Sequence, residues 1–203
     1  MSDDKQPGES GQRRGFWAWL WARPKRWFLL GIPAGGFLAF LVGIGFSGGF
    51  MTVVEASSTL SFCTSCHEMQ AFVYQEYKQT PHYQNASGVR AICSDCHVPH
   101  ALVPKLWRKF QATYGEIPAH FMGKIDTREK FEAHRAELAQ KVWDRMEATD
   151  SATCRKCHSY EAMAADKQDR YAQRKHSEEY RKATGATCID CHKGIAHHLP
   201  EKM

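Results

Sequence analysis

The sequence predicts a mostly helical protein with extensive loops, made of one N-terminal transmembrane helix and a small domain built on cysteine-tethered groups. Three observations predict it. No charged residue occurs across the 28 positions from Trp27 to Val54. All eight cysteines fall in four C-x-x-C pairs. After residue 54, apolar residues recur at helical spacing in two segments, and no strand-like alternation occurs.

The uncharged segment is long enough to cross a bilayer. As a helix it would reach roughly 42 Å, against a hydrocarbon core of about 30 Å, so one span from about Trp27 to about Phe50 is expected. Pro33 is tolerated there, as in other membrane helices. Two G-x-x-x-G spacings, Gly31/Gly35 and Gly45/Gly49, permit close helix approach and self-association. Arg13, Arg14, Arg23, Lys25 and Arg26 precede the span, with Trp17, Trp19, Trp21 and Trp27 beside them. Cationic flank and aromatic belt place the N-terminus in the cytoplasm and the rest across the membrane. Val54-Glu55-Ala56 loosely resembles a cleavage site, but the apolar run is too long for a signal peptide. The expected organisation is a basic cytoplasmic tail (1–26), an anchor helix (27–52) and an outer domain (53–203).

In that outer domain a histidine follows every cysteine pair: Cys63-Thr-Ser-Cys66-His67, Cys93-Ser-Asp-Cys96-His97, Cys154-Arg-Lys-Cys157-His158 and Cys188-Ile-Asp-Cys191-His192. This is the attachment pattern of c-type haem: both thiols bond the porphyrin and the adjacent imidazole can reach the iron. A zinc ribbon has no need of that histidine. With 11 histidines in 203 residues, four of four by chance is on the order of one in 10⁵. Four covalent haems, matured in a bacterial periplasm, are therefore expected.

The motifs begin 30, 61 and 34 residues apart, as in two copies of a two-haem module. Other histidines share the repeat. His82 lies 11 residues before Cys93 and His176 lies 12 before Cys188, while His100 and His197 follow His97 and His192 by three and five. These four form a natural set of second axial ligands. His198 competes with His197, and His120 and His134 read as ordinary. Met69, two residues after His67, can ligate the first iron or simply pack on its porphyrin. His100 is its rival there.

Two helices are expected in this domain. Asp126–Ala148 carries Phe131, Leu138, Val142 and Met146 on one face, packed against the haems. Leu102–Tyr114 is shorter, basic and amphipathic, suited to surface packing or to contact with the membrane interface. Four haems in 151 residues are close-packed and can carry electrons. The donor available in the membrane is quinol, which also releases protons and so needs a base. Glu116 is the candidate base, with Lys109 or Lys105 to hold a quinone oxygen.

The chain resembles the NapC/NirT/NrfH family of membrane-anchored tetrahaem c-type cytochromes, closest to NapC and NirT. The resemblance is carried by Cys63-Thr-Ser-Cys66-His67-Glu68-Met69, Gly88-Val89-Arg90-Ala91, Asp95-Cys96-His97-Val98-Pro99-His100, Pro104-Lys105, Ile125-Asp126-Thr127 and the stretch from Cys188 to Pro200. It implies helices and loops around two haem pairs, and quinol dehydrogenase activity on ubiquinol or menaquinol. It implies Met69 as axial ligand of the first haem, leaving His67 off the iron, with His197 serving the second, His82 the third and His176 the fourth. Lys109 and Glu116 match the family's lysine and acidic residue at the quinol pocket. His100 matches a position some members use, so the first haem stays open among Met69, His67 and His100.

The expected activity is oxidation of membrane quinol and delivery of electrons to a periplasmic terminal reductase, with nitrate reductase favoured. A nitrite or other reductase is the alternative partner, and a haem-based terminal reductase the rival class. The formal charge of +5 does not point to nucleic acid. Residues 1–26 hold six basic and three acidic residues, so +3 of it belongs to the flank that orients the helix.

Overall fold

The computed structural model describes residues 15–22 and 32–201. They are helices, turns and loops, with no strand among them. By chain contacts the protein divides into two compact units, Met1–Val53 and Val54–Met203.

The first unit holds a short helix, α1 (Phe16–Leu20), and most of α2 (Ala34–Ala56). Trp17, Trp19 and Trp21 are exposed on or beside α1. The cationic flank, Trp27 and the expected start of the span lie outside the described residues. The described helix begins after Pro33, whose carbonyl accepts from the N–H groups of Gly36 and Phe37. Proline suits that position because its φ is already helical and its missing N–H is not needed in a first turn. The far end runs to Ala56, beyond the expected Phe50. It ends where three hydroxyls satisfy free carbonyls: Ser57 and Ser58 donate to Val54 O and Thr59 to Ala56 O. α2 is the one described helix long and apolar enough to cross a membrane, with mean hydropathy 2.0. Gly45 and Gly49 face open space on it.

The second unit strings short helices between two long ones. α3 (Leu60–Cys63) is followed by a π-helical turn (Met69–Val73), α4 (Tyr74–Tyr77) and α5 (Cys93–His97). α6 (Leu102–Phe121) and α7 (Arg128–Ala148) are the long pair. After two 3₁₀ turns, at Cys154–Lys156 and Ala165–Lys167, come α8 (Arg170–His176), α9 (Glu178–Thr184) and α10 (Cys188–Cys191).

α6 outruns the expected Tyr114 by seven residues, passing through Gly115 and Pro118. It stops at Gly123, whose φ of 62° is left-handed and where a Cβ would meet Asp126 Oδ2 at 2.8 Å. α7 starts two residues later than expected because Thr127, not Asp126, is the cap: its hydroxyl accepts from Lys130 N at 3.3 Å. Asp126 pairs with Lys130 Nζ. Of the face expected on α7, Phe131 is buried, with Arg135 and Trp143, whereas Leu138, Val142 and Met146 are half-buried. The buried apolar side chains among the described residues are only Val54, Phe72, Tyr77, Phe131, Trp143 and Ile189. A protein-only core for this length needs more than that, because each core residue must touch several others.

Candidate functional site

Local backbone chemistry shapes each cysteine motif. In α5 and α10 the third residue is aspartate, and it caps its own helix. Asp95 Oδ2 accepts from Ile92 N at 2.7 Å, and Asp190 Oδ2 from Thr187 N at 2.6 Å. The two cysteines then lie three residues apart on one helical turn, which puts both sulfurs on one face. Cys63 ends α3 and Cys154 opens a 3₁₀ turn. All eight cysteines are free of disulfides, as thioether attachment requires.

The motifs are also tied to each other. Ser94 Oγ donates to Ser58 O at 2.6 Å, and the thiols of Cys63 and Cys93 lie close enough to shift one another's titration. Burial first, then the neighbouring Cys154, pushes the Cys96 thiol up to about 11. Ser151 joins the last two motifs: its carbonyl accepts from Cys154 N, and its hydroxyl meets Thr187 Oγ1 and Ile189 N, each at 3.1 Å. The motifs are therefore neighbours in the order one, two, three, four.

Three pairs of imidazoles face one another. Ring centroids are 6.1 Å apart for His97 and His197, 6.2 Å for His82 and His158, and 6.0 Å for His176 and His192. An iron between two imidazoles, with metal–nitrogen bonds of about 2.0–2.1 Å, separates ring centroids by about 6.3 Å. The residues present therefore fit bis-imidazole haem at the second, third and fourth motifs. Two of the pairs cross the chain: His82 meets the third motif and His197 the second. Burial first, then the charges of His197, Arg108 and Arg145, pushes the His97 imidazole down to about 4. It stays neutral at pH 7, as a ligand must. His82 Nδ1 is buried without a partner, and His176 Nδ1 lies 2.8 Å from Gln168 Oε1. His197 rather than His198 turns inward; the His198 side chain is 69% exposed.

The first motif differs. His67 is 63% exposed, and its ring faces His120 at 5.8 Å. Between them sits Glu68, 2% exposed, with Oε1 at 2.6 Å from His120 Nδ1 and 3.6 Å from His67 Nε2. Glu68 Oε2 has no partner. Met69, half-buried, opens the π-helical turn, a distortion that often marks functional positions. His100 is exposed in the bend between α5 and α6. His120, read as ordinary from the sequence, thus belongs to this cluster. Its partner is 52 positions away, beyond any periodicity; the one local sign is that α6 continues far enough to carry it.

Of the quinol-site residues, Lys109 donates to Ser57 Oγ at 2.8 Å and to Ser57 O at 3.0 Å. Burial holds its ammonium below the ordinary lysine value, with nearby Cys63 acting the other way. Lys105 pairs with Glu55 at 2.8 Å. Glu116 takes a different partner, Arg108, and is 62% exposed. Val103, Trp107, Phe110, Tyr114, Ile117 and Phe121 recur every three or four residues on α6, all exposed.

The pattern described as "NapC/NirT cytochrome c family, N-terminal region" matches residues 26–202. The chain is 50% identical over 196 residues to "Denitrification system component NirT" of Stutzerimonas stutzeri, covering 97% of this chain and 94% of that protein. It is 46% identical over 203 residues to "Cytochrome c-type protein NapC" of Escherichia coli (strain K12), covering 98% and 95%. It is 48% identical over 160 residues to "Cytochrome c-type protein TorY" of Haemophilus influenzae, covering 79% of this chain and 42% of that longer protein. No solved structure matches.

Proposed function

The chain belongs to the NapC/NirT cytochrome c family, and from that premise we propose that it is a single-pass inner-membrane tetrahaem cytochrome that oxidises quinol and reduces a periplasmic terminal reductase. The observation that carries this is the set of three facing imidazole pairs beside four sequential attachment motifs. On this reading the tail (1–26) is cytoplasmic, α2 is the anchor and the second unit is periplasmic.

Haem c, when bound, accepts and donates single electrons. The cysteines at 63/66, 93/96, 154/157 and 188/191 hold the four groups. His97 and His197 serve the second, His158 and His82 the third, His192 and His176 the fourth. For the first, we take Met69 as the ligand. His67 is engaged with the Glu68 carboxylate and the His120 ring, which supports its being held off the iron.

Quinol, ubiquinol or menaquinol, gives up two protons with its two electrons, so its site needs a base as well as a cation. Lys109, beside Cys63, orients a quinone oxygen, with Lys105 next to it on α6. Glu116 accepts the proton once it swings free of Arg108. The exposed apolar stripe of α6 supports contact with the membrane interface, where quinol enters.

Nitrate reductase is the favoured partner. A nitrite reductase is the second reading, favoured by the relative named as a denitrification system component. Mixing quinol-reduced protein with each purified reductase and its substrate, and timing haem reoxidation, tests the proposal. Rapid reoxidation is expected with one reductase and not with nitrate or nitrite alone. Reoxidation by nitrite alone would make the chain a terminal reductase and sink the carrier reading.

A further inference from the structure

His97 and His197 are 100 residues apart in sequence, and His197 sits in a loop of turns after α10. The loop's own secondary structure does not hold it, but a buried ion pair does. Arg135 of α7 and Glu76 of α4 are 8% and 6% exposed at the side chain. The guanidinium grips the carboxylate with two nitrogens, Nη2 to Oε1 at 2.5 Å and Nη1 to Oε2 at 2.9 Å. Both groups then spend a further hydrogen bond on the same residue. His198 N donates to Glu76 Oε2 at 2.9 Å, and His198 O accepts from Arg135 Nη1 at 3.1 Å. The residue next to His197 is thus clamped at its N–H and at its carbonyl.

The clamp is itself braced. Glu132 accepts from Arg135 Nε at 2.6 Å and Nη2 at 2.9 Å. The guanidinium lies over the Phe131 ring at 4.7 Å, and that ring packs on Phe72 at 5.2 Å. Four partners fix the arginine in one rotamer.

We infer that Glu76 and Arg135 are positioning residues for the second haem's distal ligand, holding the chain at His198 so that the His197 ring faces His97. This rests on the reading of His97 and His197 as that haem's axial pair. Stability alone is a poor reason for the arrangement. Apolar residues of similar volume often replace a buried ion pair with no loss of stability. Such residues could not grip an N–H and a carbonyl of one loop residue. Outer partners that orient a ligating imidazole are a general requirement of metal sites, and a loop ligand needs them most.

The test compares carbon monoxide binding by the reduced holoprotein, alongside haem content, in the wild type and in Arg135→Lys, Glu76→Gln and His197→Ala. Each variant is expected to retain four haems and to bind one more carbon monoxide per chain than the wild type. Added imidazole should abolish the extra binding. Arg135→Lys should add nothing on top of His197→Ala, because both act on one ligand. The double variant Glu76→Leu/Arg135→Met keeps apolar packing but not the clamp, and should show the same extra site. If His197→Ala gains no site, the ligand reading is wrong. If His197→Ala gains one but the clamp variants stay as wild type, or their gain resists imidazole, the positioning role is wrong.

Discussion

Glu68 is the most enclosed carboxyl group among the described residues, yet only one of its oxygens is partnered. A buried polar atom without a hydrogen bond costs about 1–3 kcal/mol, so the position demands a return. On the proposed ligand set the return is a carboxylate bonded to His120 and 3.6 Å from the first-motif imidazole, which leaves Met69 to the iron. Met69→Leu tests this: the first haem should lose its ligand and one more carbon monoxide should bind per chain, whereas unchanged binding would mean that Met69 only packs. Lys109 acts at the same scale. Lys109→Gln should slow haem reduction by quinol at least tenfold in stopped-flow while leaving reduction by dithionite unaltered; equal slowing of both would remove it from the quinol site. The eight cysteines and the four motif histidines were legible because adjacent letters carry them. The repeat singled out His82, His176 and His197 as candidate partners, but which motif each one faces came from the family resemblance alone. His120 was not legible, since neither spacing nor repetition marks a contact between α6 and a residue 52 positions earlier.

The two long helices show what pattern reading resolves and where it stops short. In α7 the apolar spacing set the span to within two residues, but the buried set included Arg135, which a polarity pattern assigns to the solvent face. Its burial follows from Glu76 on a distant segment. Phe131, 4% exposed and packed on Phe72, anchors the same helix. Phe131→Ala should cost about 3–5 kcal/mol in denaturant unfolding, against about 1 kcal/mol for the Thr127→Ala cap. Equal, small losses would mean that α7 is not held through that face. α6 runs past the expected Tyr114 through two residues that ordinarily weaken a helix, Gly115 and Pro118. Proline removes one rung of the ladder, and the apolar stripe runs from Ile117 just before it to Phe121 beyond it. The real stop is Gly123, which alone in that turn adopts a left-handed backbone.

Across the second unit, titration and ligation act in the same direction. His97 has its imidazole pushed down from 6.5 to about 4, by burial first. A neutral ring is the form that an iron can bind, and that is the sense in which the two agree. Burial alone would raise the Glu76 carboxyl, but hydrogen bonds from Arg135 and His198 N leave it below its ordinary 4.5. Its contribution is present above 4.5 and disappears below. Denaturant midpoints of the holoprotein should therefore fall as the pH drops below 4.5. Glu76→Gln should flatten that fall; an unchanged fall in the variant would mean that Glu76 does not carry it. The helical class, the single apolar helix and the four attachments could be read from the sequence as a whole. The way the halves interlock came only from the family resemblance, because repeated motifs by themselves suggest modules that stand apart.

That interlocking has a consequence for how the protein is made. His82 is synthesised long before the motif it faces, and His197 long after. On the proposed ligand set, the earlier half must wait with one imidazole unclaimed and one position unfilled until the segment bearing His197 has been made. Loss of the segment bearing His197 would thus strike a centre a hundred residues upstream, and each half is the other's final assembly step.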